Sequence, residues 1–158
     1  MNGAHLHLVL NHFPIFSTLF GIVIISWGLL KKLPQVRKVG LVLLILGAMM
    51  SYVAIESGEA AEEQIEESSI SISHESIHDH EEAAEIAFWF SIIMGGLGII
   101  ILVSTNVNIR LEKTLYGVLI ITAVLTLLIL IFTAYKGGEI RHNIELSNIE
   151  LFDSNIGF

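Results

Sequence analysis

The chain contains no cysteine and only two prolines among its 158 residues. Without cysteine it can form neither disulfides nor thiolate ligands, so any metal site must use imidazole and oxygen. Charged residues are also few, at 15% of the chain, and eight basic residues stand against sixteen acidic ones. The resulting net charge of −8 argues against nucleic acid as a partner and suits cations or a basic protein.

Apolar residues, by contrast, make up 53% of the chain and give it a mean hydropathy of +0.72, which is too apolar for a soluble domain. Four apolar runs lie at about 8–30, 39–55, 86–104 and 114–135. Each is near the ~20 residues that a helix needs to cross a ~30 Å hydrocarbon core. Unbroken runs of this length are too long for the strands of a membrane barrel. The sequence therefore predicts an all-α integral membrane protein, built as a four-helix bundle.

Polar residues that favour helix extend these runs at several ends. We expect a four-helix transmembrane domain over residues 1–142, followed by a C-terminal tail over 143–158 that has no clear period. The predicted helices are about 8–30, 38–67, 78–104 and 112–136. Serine and isoleucine alternate from Ser68 to Ser73, which predicts a short extended link after the second helix.

The charges indicate how the bundle lies in the membrane. Six of the eight lysines and arginines fall in the two short connections between helices 1 and 2 and between helices 3 and 4, namely Lys31, Lys32, Arg37, Lys38, Arg110 and Lys113. The positive-inside rule assigns these connections to the cytoplasm. Both termini and the long polar connection are then expected outside, together with every acidic residue except Glu112.

All seven histidines fall near or beyond the outer ends of the apolar runs, at the predicted outer boundary, and are His5, His7, His12, His74, His78, His80 and His142. Imidazole and carboxylate groups at the mouth of a helix bundle are typical ligands of metal and haem sites. We expect His5 and His74 to be bystanders at the membrane interface. His12 directly precedes Phe13 and Pro14 at the start of helix 1, and it is favoured as a ligand over an interfacial residue.

Three further groups could take part in such a site. Glu56 lies at the edge of membrane-depth sequence, where an ionisable group usually faces a bundle interior and has a partner. His78 and His80 precede helix 3, and an opportunistic metal-binding loop is the alternative interpretation there. Glu139 and His142 have the Glu-x-x-His spacing of di-metal carboxylate bundles, and Arg141 between them could hold a carboxylate or a haem propionate.

Several short motifs together resemble a known family. The chain carries His7-x4-His12-Phe13-Pro14-Ile15, then His80-Glu81 before helix 3, and Gly137-Gly138-x3-His142 after helix 4. This order resembles the four-helix bacterial membrane proteins named domain of unknown function 2231, over residues 5 to about 142. The chain departs from that family's pattern at Leu8, often proline, and at Asn143, often glycine. The resemblance implies a four-helix fold in the bacterial inner membrane and marks His7, His12, His80 and His142, but it implies no established reaction.

Three functional classes follow, and none of them specifies an enzymatic reaction. The first is a redox cofactor, foremost b-type haem, that is bound at the outer helix ends and exchanges electrons with a quinone or a periplasmic carrier. Its candidate binding residues are His7, His12, His80, His142 and Arg141. The second is direct binding of Zn, Cu or Fe by mixed ligands, with candidates His12, Glu56, His78, His80, Glu139 and His142. The third is a non-catalytic accessory subunit of a larger membrane complex.

Neighbouring residues favour the haem class. Phe13, Phe88 and Trp89 could line an apolar slot, and Lys136 and Arg141 could face the propionates. The predicted helices carry no ionisable residue at mid-bilayer depth, so a transport pathway is disfavoured.

Overall fold

The computed structural model describes the backbone of residues 3–66, 74–104 and 109–156, and the side chains of residues 7–63, 75–104 and 109–142. Over these ranges the chain forms helices and no strands, which confirms the predicted all-α class for this part of the chain. The helices are α1 (Gly3–Leu10), α2 (His12–Leu30), α3 (Pro34–Glu66), α4 (His74–Val103) and α5 (Ile109–Ile156). Four segments are long and apolar enough to cross a membrane, namely His7–Leu30, Pro34–Glu63, Glu75–Val103 and Ile109–His142.

The first of these segments contains a break between α1 and α2 at Asn11. Pro14 lies in the first turn of α2, and because it has no N–H it cannot bond the carbonyl of Leu10 four residues earlier. Asn11 nevertheless keeps helical backbone angles (φ −64°, ψ −20°), and its N–H donates to the carbonyl of His7 at 2.9 Å. α1 therefore continues the direction of α2 and carries His7 beyond the proline.

The largest difference from the predicted helix bounds is at the C-terminal end. α5 continues to Ile156, about twenty residues beyond the end predicted near residue 136. It runs through Gly137 and Gly138, neither of which has a positive φ, so the glycine pair does not end the helix. The link predicted from Ser68 to Ser73 lies outside the described residues.

The spans run in alternating directions and close into a ring. Each packs against its neighbours in sequence, and α5 also contacts α2. The starts of α2 and α4 and the ends of α3 and α5 share one end of the bundle, which contains His7 and His80 and is called here the histidine end. The opposite end contains Lys31, Arg37 and Lys113 and is called the basic end.

Small residues allow the helices to approach closely. A Cβ added at Gly40 of α3 would lie 2.9 Å from the backbone nitrogen of Ile25 and 3.0 Å from the carbonyl oxygen of Gly21, both on α2. On α4, a Cβ at Gly95 would lie 2.6 Å from that of Ala48, whereas Gly96 faces open space. Glycine at helix contacts of this kind is typical of membrane bundles, where packing drives association.

Large apolar side chains cover the exterior of the bundle. Phe16, Trp27, Ile93 and Leu128 are each more than half exposed. Several buried hydroxyls bond within their own helices, as in the contact from Ser91 to the carbonyl of Ala87 at 2.8 Å. Because such an exterior suits hydrocarbon and not water, the fold is that of a multi-pass membrane protein.

Candidate functional site at the histidine end

Two histidines from different helices face each other at the histidine end. The ring centroids of His7 on α1 and His80 on α4 lie 6.4 Å apart, and the ring planes are inclined by 85°. Both side chains are partly buried. The structure thus brings together two of the predicted cofactor-binding residues that are far apart in sequence.

Each of these imidazoles is held through Nδ1. His7 Nδ1 lies 3.1 Å from the carbonyl oxygen of Ala54 and 3.1 Å from Ser57 Oγ, and His80 Nδ1 lies 3.0 Å from the carbonyl oxygen of Thr133. Because a carbonyl oxygen can only accept a hydrogen bond, each Nδ1 carries the hydrogen and donates it. The lone pair of each neutral ring is then on Nε2. Histidines that bind metals through Nε2 commonly have Nδ1 fixed in this way.

The residues that hold the two rings include two hydroxyl side chains, Ser57 and Thr133. Ser57 donates to the carbonyl of Ala54 at 2.9 Å, so its oxygen can accept from His7 while its own hydrogen is used. The Thr133 hydroxyl on α5 lies 3.0 Å from the carbonyl oxygen of Ala83 on α4 and 3.0 Å from that of Ile129 on its own helix, and it shares its one hydrogen between them. Thr133 therefore joins α4 to α5 twice, through its carbonyl to His80 and through its hydroxyl to Ala83. Sequence reasoning missed both residues, although the hydroxyl of Thr133 within an apolar run was an available signal.

A glycine lies against each ring. A Cβ at Gly58 would be 3.3 Å from His7 Cε1, and a Cβ at Gly137 would be 3.1 Å from His80 Cε1. Gly138 has nothing within 4 Å of the same position. Of this glycine pair, Gly137 alone is in close contact with the His80 ring.

The other candidate histidines lie on the exterior. His12 is exposed, and its Nδ1 is 3.1 Å from the carbonyl oxygen of Leu8 on the same stretch of helix. His78 and His142 are also exposed. The side chains of His5 and His74 lie outside the described residues. The structure therefore does not bring His12, His78 or His142 to the facing pair.

The acidic and basic candidates are exposed as well. Glu56 and Arg141 lie on the surface. Glu139 is 3.6 Å from Lys136, whose ammonium also binds Asp79 of α4 at 3.1 Å. Among the side chains that the structure describes, no three His, Asp or Glu residues are grouped to hold one metal ion.

The aromatic residues expected near the site also face outward. Phe88 packs against Trp89 at a centroid distance of 5.5 Å and against Tyr52 of α3 at 6.4 Å. Trp89 and Phe13 are exposed, at 56% and 44%. This arrangement is typical of an aromatic belt at a membrane interface.

What the histidine end offers chemically is therefore a pair of imidazoles oriented by backbone carbonyls. Comparison of the chain with protein-family models, with curated proteins and with solved structures finds no match.

Proposed function

We propose that the histidine end binds a redox cofactor, b-type haem, with the imidazoles of His7 and His80 as its two protein ligands. The observation that carries this proposal is the facing pair itself, in which each Nδ1 donates to a backbone carbonyl of another helix. Each Nε2 is thereby the nitrogen available for a metal. A bound haem would supply one-electron chemistry, while the chain supplies the imidazoles and their orientation.

The size of the donor set favours haem over a bare ion. Structural zinc sites use four protein ligands and catalytic ones use three. The described side chains contain no such group of three. A haem needs at most two axial ligands from the protein, because its macrocycle occupies the other positions. Two imidazoles without a third ligand among the described side chains therefore match haem better than Zn, Cu or Fe bound directly.

The spacing of the rings supports the same conclusion. Metal–imidazole bonds are about 2 Å long, so two imidazoles on opposite sides of one ion have centroids roughly 6 Å apart. The centroids of His7 and His80 are separated by 6.4 Å. Gly58 lies next to the ring of His7 and Gly137 lies next to the ring of His80. Because glycine has no side chain, neither residue crowds its ring.

The proposed setting is the bacterial inner membrane, with the histidine end and both termini outside. Six of the eight basic residues belong to the other end, which supports this orientation. A site at the outer boundary would exchange electrons with a quinone in the bilayer and with a periplasmic carrier, alone or within a larger membrane complex. Membership of the four-helix family that the motifs resemble is part of this proposal.

An absorption spectrum of the purified protein tests the proposal. The full chain is expressed with added haemin and purified in detergent, and we expect a Soret band that sharpens and shifts on dithionite reduction. His7→Gln and His80→Gln are each expected to lose most of that absorbance per mole of protein, because one axial ligand is removed. His12→Gln and His142→Gln are the matched controls, since both residues are exposed, and they should retain it.

Size-exclusion profiles of all variants establish that they fold. A colourless wild-type preparation would overturn the haem proposal. Retention of the full Soret band by both His7→Gln and His80→Gln would overturn the assignment of the ligands. Stoichiometric Zn, Cu or Fe without haem, measured by elemental analysis of the same sample, would favour direct metal binding.

A further inference from the structure

A second feature, independent of the histidines, lies at the basic end. A cavity of about 300 Å³ opens between the start of α3, the end of α4 and the start of α5. Its charged lining residues are Arg37, Lys38 and Glu112, and Tyr116 contributes a buried ring. Glu112 is the one acidic residue that the sequence places at this end.

Arg37 is held in a fixed position at this cavity. Its Nη1 donates to Glu112 Oε1, and its guanidinium carbon lies 5.3 Å from the centroid of the Tyr116 ring. Tyr116 is itself only 6% exposed, so the ring is a rigid platform for the guanidinium. The fork of Arg37 is therefore oriented before any ligand arrives.

One donor of this fork is left unused. Arg37 Nε is buried and, within the described part of the chain, has no hydrogen-bond partner. A buried donor of a charged group without a partner is unfavourable, and in folded proteins such a group usually has a ligand or an ordered water. The lining carries two positive charges and one negative charge, and an anionic ligand would complement the remaining positive charge.

The depth of the cavity indicates where the anion comes from. At the same end, Lys31 Nζ lies 5.1 Å from the centroid of the Trp27 ring, and Trp27 is exposed on the bundle surface. Tryptophan and lysine in this arrangement mark the level of the lipid headgroups. Phosphate groups of lipids are abundant at that level, and arginine binds phosphate through paired N–H donors.

We propose that this cavity binds the phosphate of an anionic lipid headgroup, with Arg37 and Lys38 as donors. Glu112 positions Arg37 but also competes with the phosphate for it. Leu41 and Ile101 line the same cavity and give it an apolar wall, which suits the glycerol and acyl carbons next to the phosphate. Basic pockets between membrane helices bind acidic headgroups in this way.

Native mass spectrometry of the full chain in detergent tests this assignment. The protein is titrated separately with phosphatidylglycerol, phosphatidylcholine and inorganic phosphate, and we expect several-fold preferential retention of phosphatidylglycerol. The double variant Arg37→Gln/Glu112→Gln removes the donor without changing net charge or leaving Glu112 unpaired, and it should lower retention roughly fivefold. Lys38→Gln should have a similar effect, and Glu112→Gln alone should raise retention because Arg37 is released.

Lys113→Gln is the control, because Lys113 is an exposed cation of the same end that does not line the cavity. Unchanged retention in this variant supports a specific site. A loss equal to that of Lys38→Gln would show diffuse attraction and overturn the proposal, as would equal retention by wild type and the double variant. Binding of inorganic phosphate with no preference for phosphatidylglycerol would overturn the lipid assignment.

Discussion

At the scale of single residues, the histidines differ in what accepts their Nδ1 hydrogen. His12 donates to the carbonyl of Leu8, four residues earlier in sequence, and it remains exposed. His7 and His80 donate to carbonyls 47 and 53 residues away, on α3 and α5. A bond to a neighbouring helix fixes the ring relative to the bundle, and among the histidine side chains that the structure describes only these two rings face each other. The acceptor on another helix therefore distinguishes the proposed ligands from an interfacial histidine.

The glycine beside His80 gives a prediction at this scale. Gly137→Ala places a methyl group 3.1 Å from His80 Cε1, so the ring must shift, whereas Gly138→Ala meets nothing within 4 Å. Alanine is favoured over glycine in a helix by up to ~1 kcal/mol, and Gly138→Ala should raise the midpoint of thermal unfolding. Gly137→Ala should gain less or lose stability, and it should lower haem content. Equal midpoints for the two variants would contradict the close contact at Gly137.

At the scale of helices, hydrophobicity alone was enough to predict the spans. In a bilayer, four apolar runs of this length form membrane-spanning helices. The predicted helix bounds differ from the observed ones mainly at α5, which continues to Ile156. The sequence after residue 136 did not reveal that continuation, because a glycine pair can either end a helix or lie within it. Pro14, expected near the start of the first span, lies in the first turn of α2 and separates it from α1.

The facing pair was harder to predict than the spans. The family resemblance marked His7, His12, His80 and His142, and their common position at one boundary did not separate the facing pair from the exposed pair. Which side chain points inward depends on the rotation of each helix end, and that rotation follows from contacts with distant residues such as Ala54 and Thr133. Likewise, the isolated position of Glu112 among basic residues was visible in the sequence, but its pairing with Arg37 across two helices was not.

The contact between α4 and α5 through Thr133 gives a prediction at this scale. Thr133→Val removes the hydroxyl that lies 3.0 Å from the carbonyl oxygen of Ala83, and it retains the backbone carbonyl that holds His80. Hydrogen bonds between membrane helices contribute about 0.6 kcal/mol on average, with a maximum near 1.7, so we expect a loss in that range. Thr122→Val is the control, because the hydroxyl of the half-buried Thr122 donates to the carbonyl of Val118 within its own helix. The free energy of unfolding in mixed micelles measures both, and equal effects would argue against a role in joining the helices.

At the scale of the whole molecule, the two ends carry different chemistry. Imidazoles oriented by backbone carbonyls occupy one end, surrounded by exposed carboxylates such as Glu59 and Glu81. The other end has a cationic cavity and a lysine over an exposed tryptophan. The apolar bundle between them contains buried hydroxyls such as Ser91 and Thr126, which bond to carbonyls of their own helices. The proposed electron-transfer site and the proposed lipid site are therefore separated by the thickness of the bilayer.

The absence of cysteine makes the proposed orientation directly testable. Ala60→Cys and Gln35→Cys place single thiols at exposed, uncharged positions near the opposite ends of α3. They are 25 residues apart, or about 37 Å along a helix, and neither substitution alters the charges that determine topology. In intact bacterial cells, a membrane-impermeant maleimide should label Ala60→Cys. It should label Gln35→Cys only after lysis, because the basic end, with six of the eight basic residues, is expected to stay in the cytoplasm. The wild-type chain has no thiol and measures the background. The reverse pattern would place the histidine pair in the cytoplasm and would exclude exchange with a periplasmic carrier.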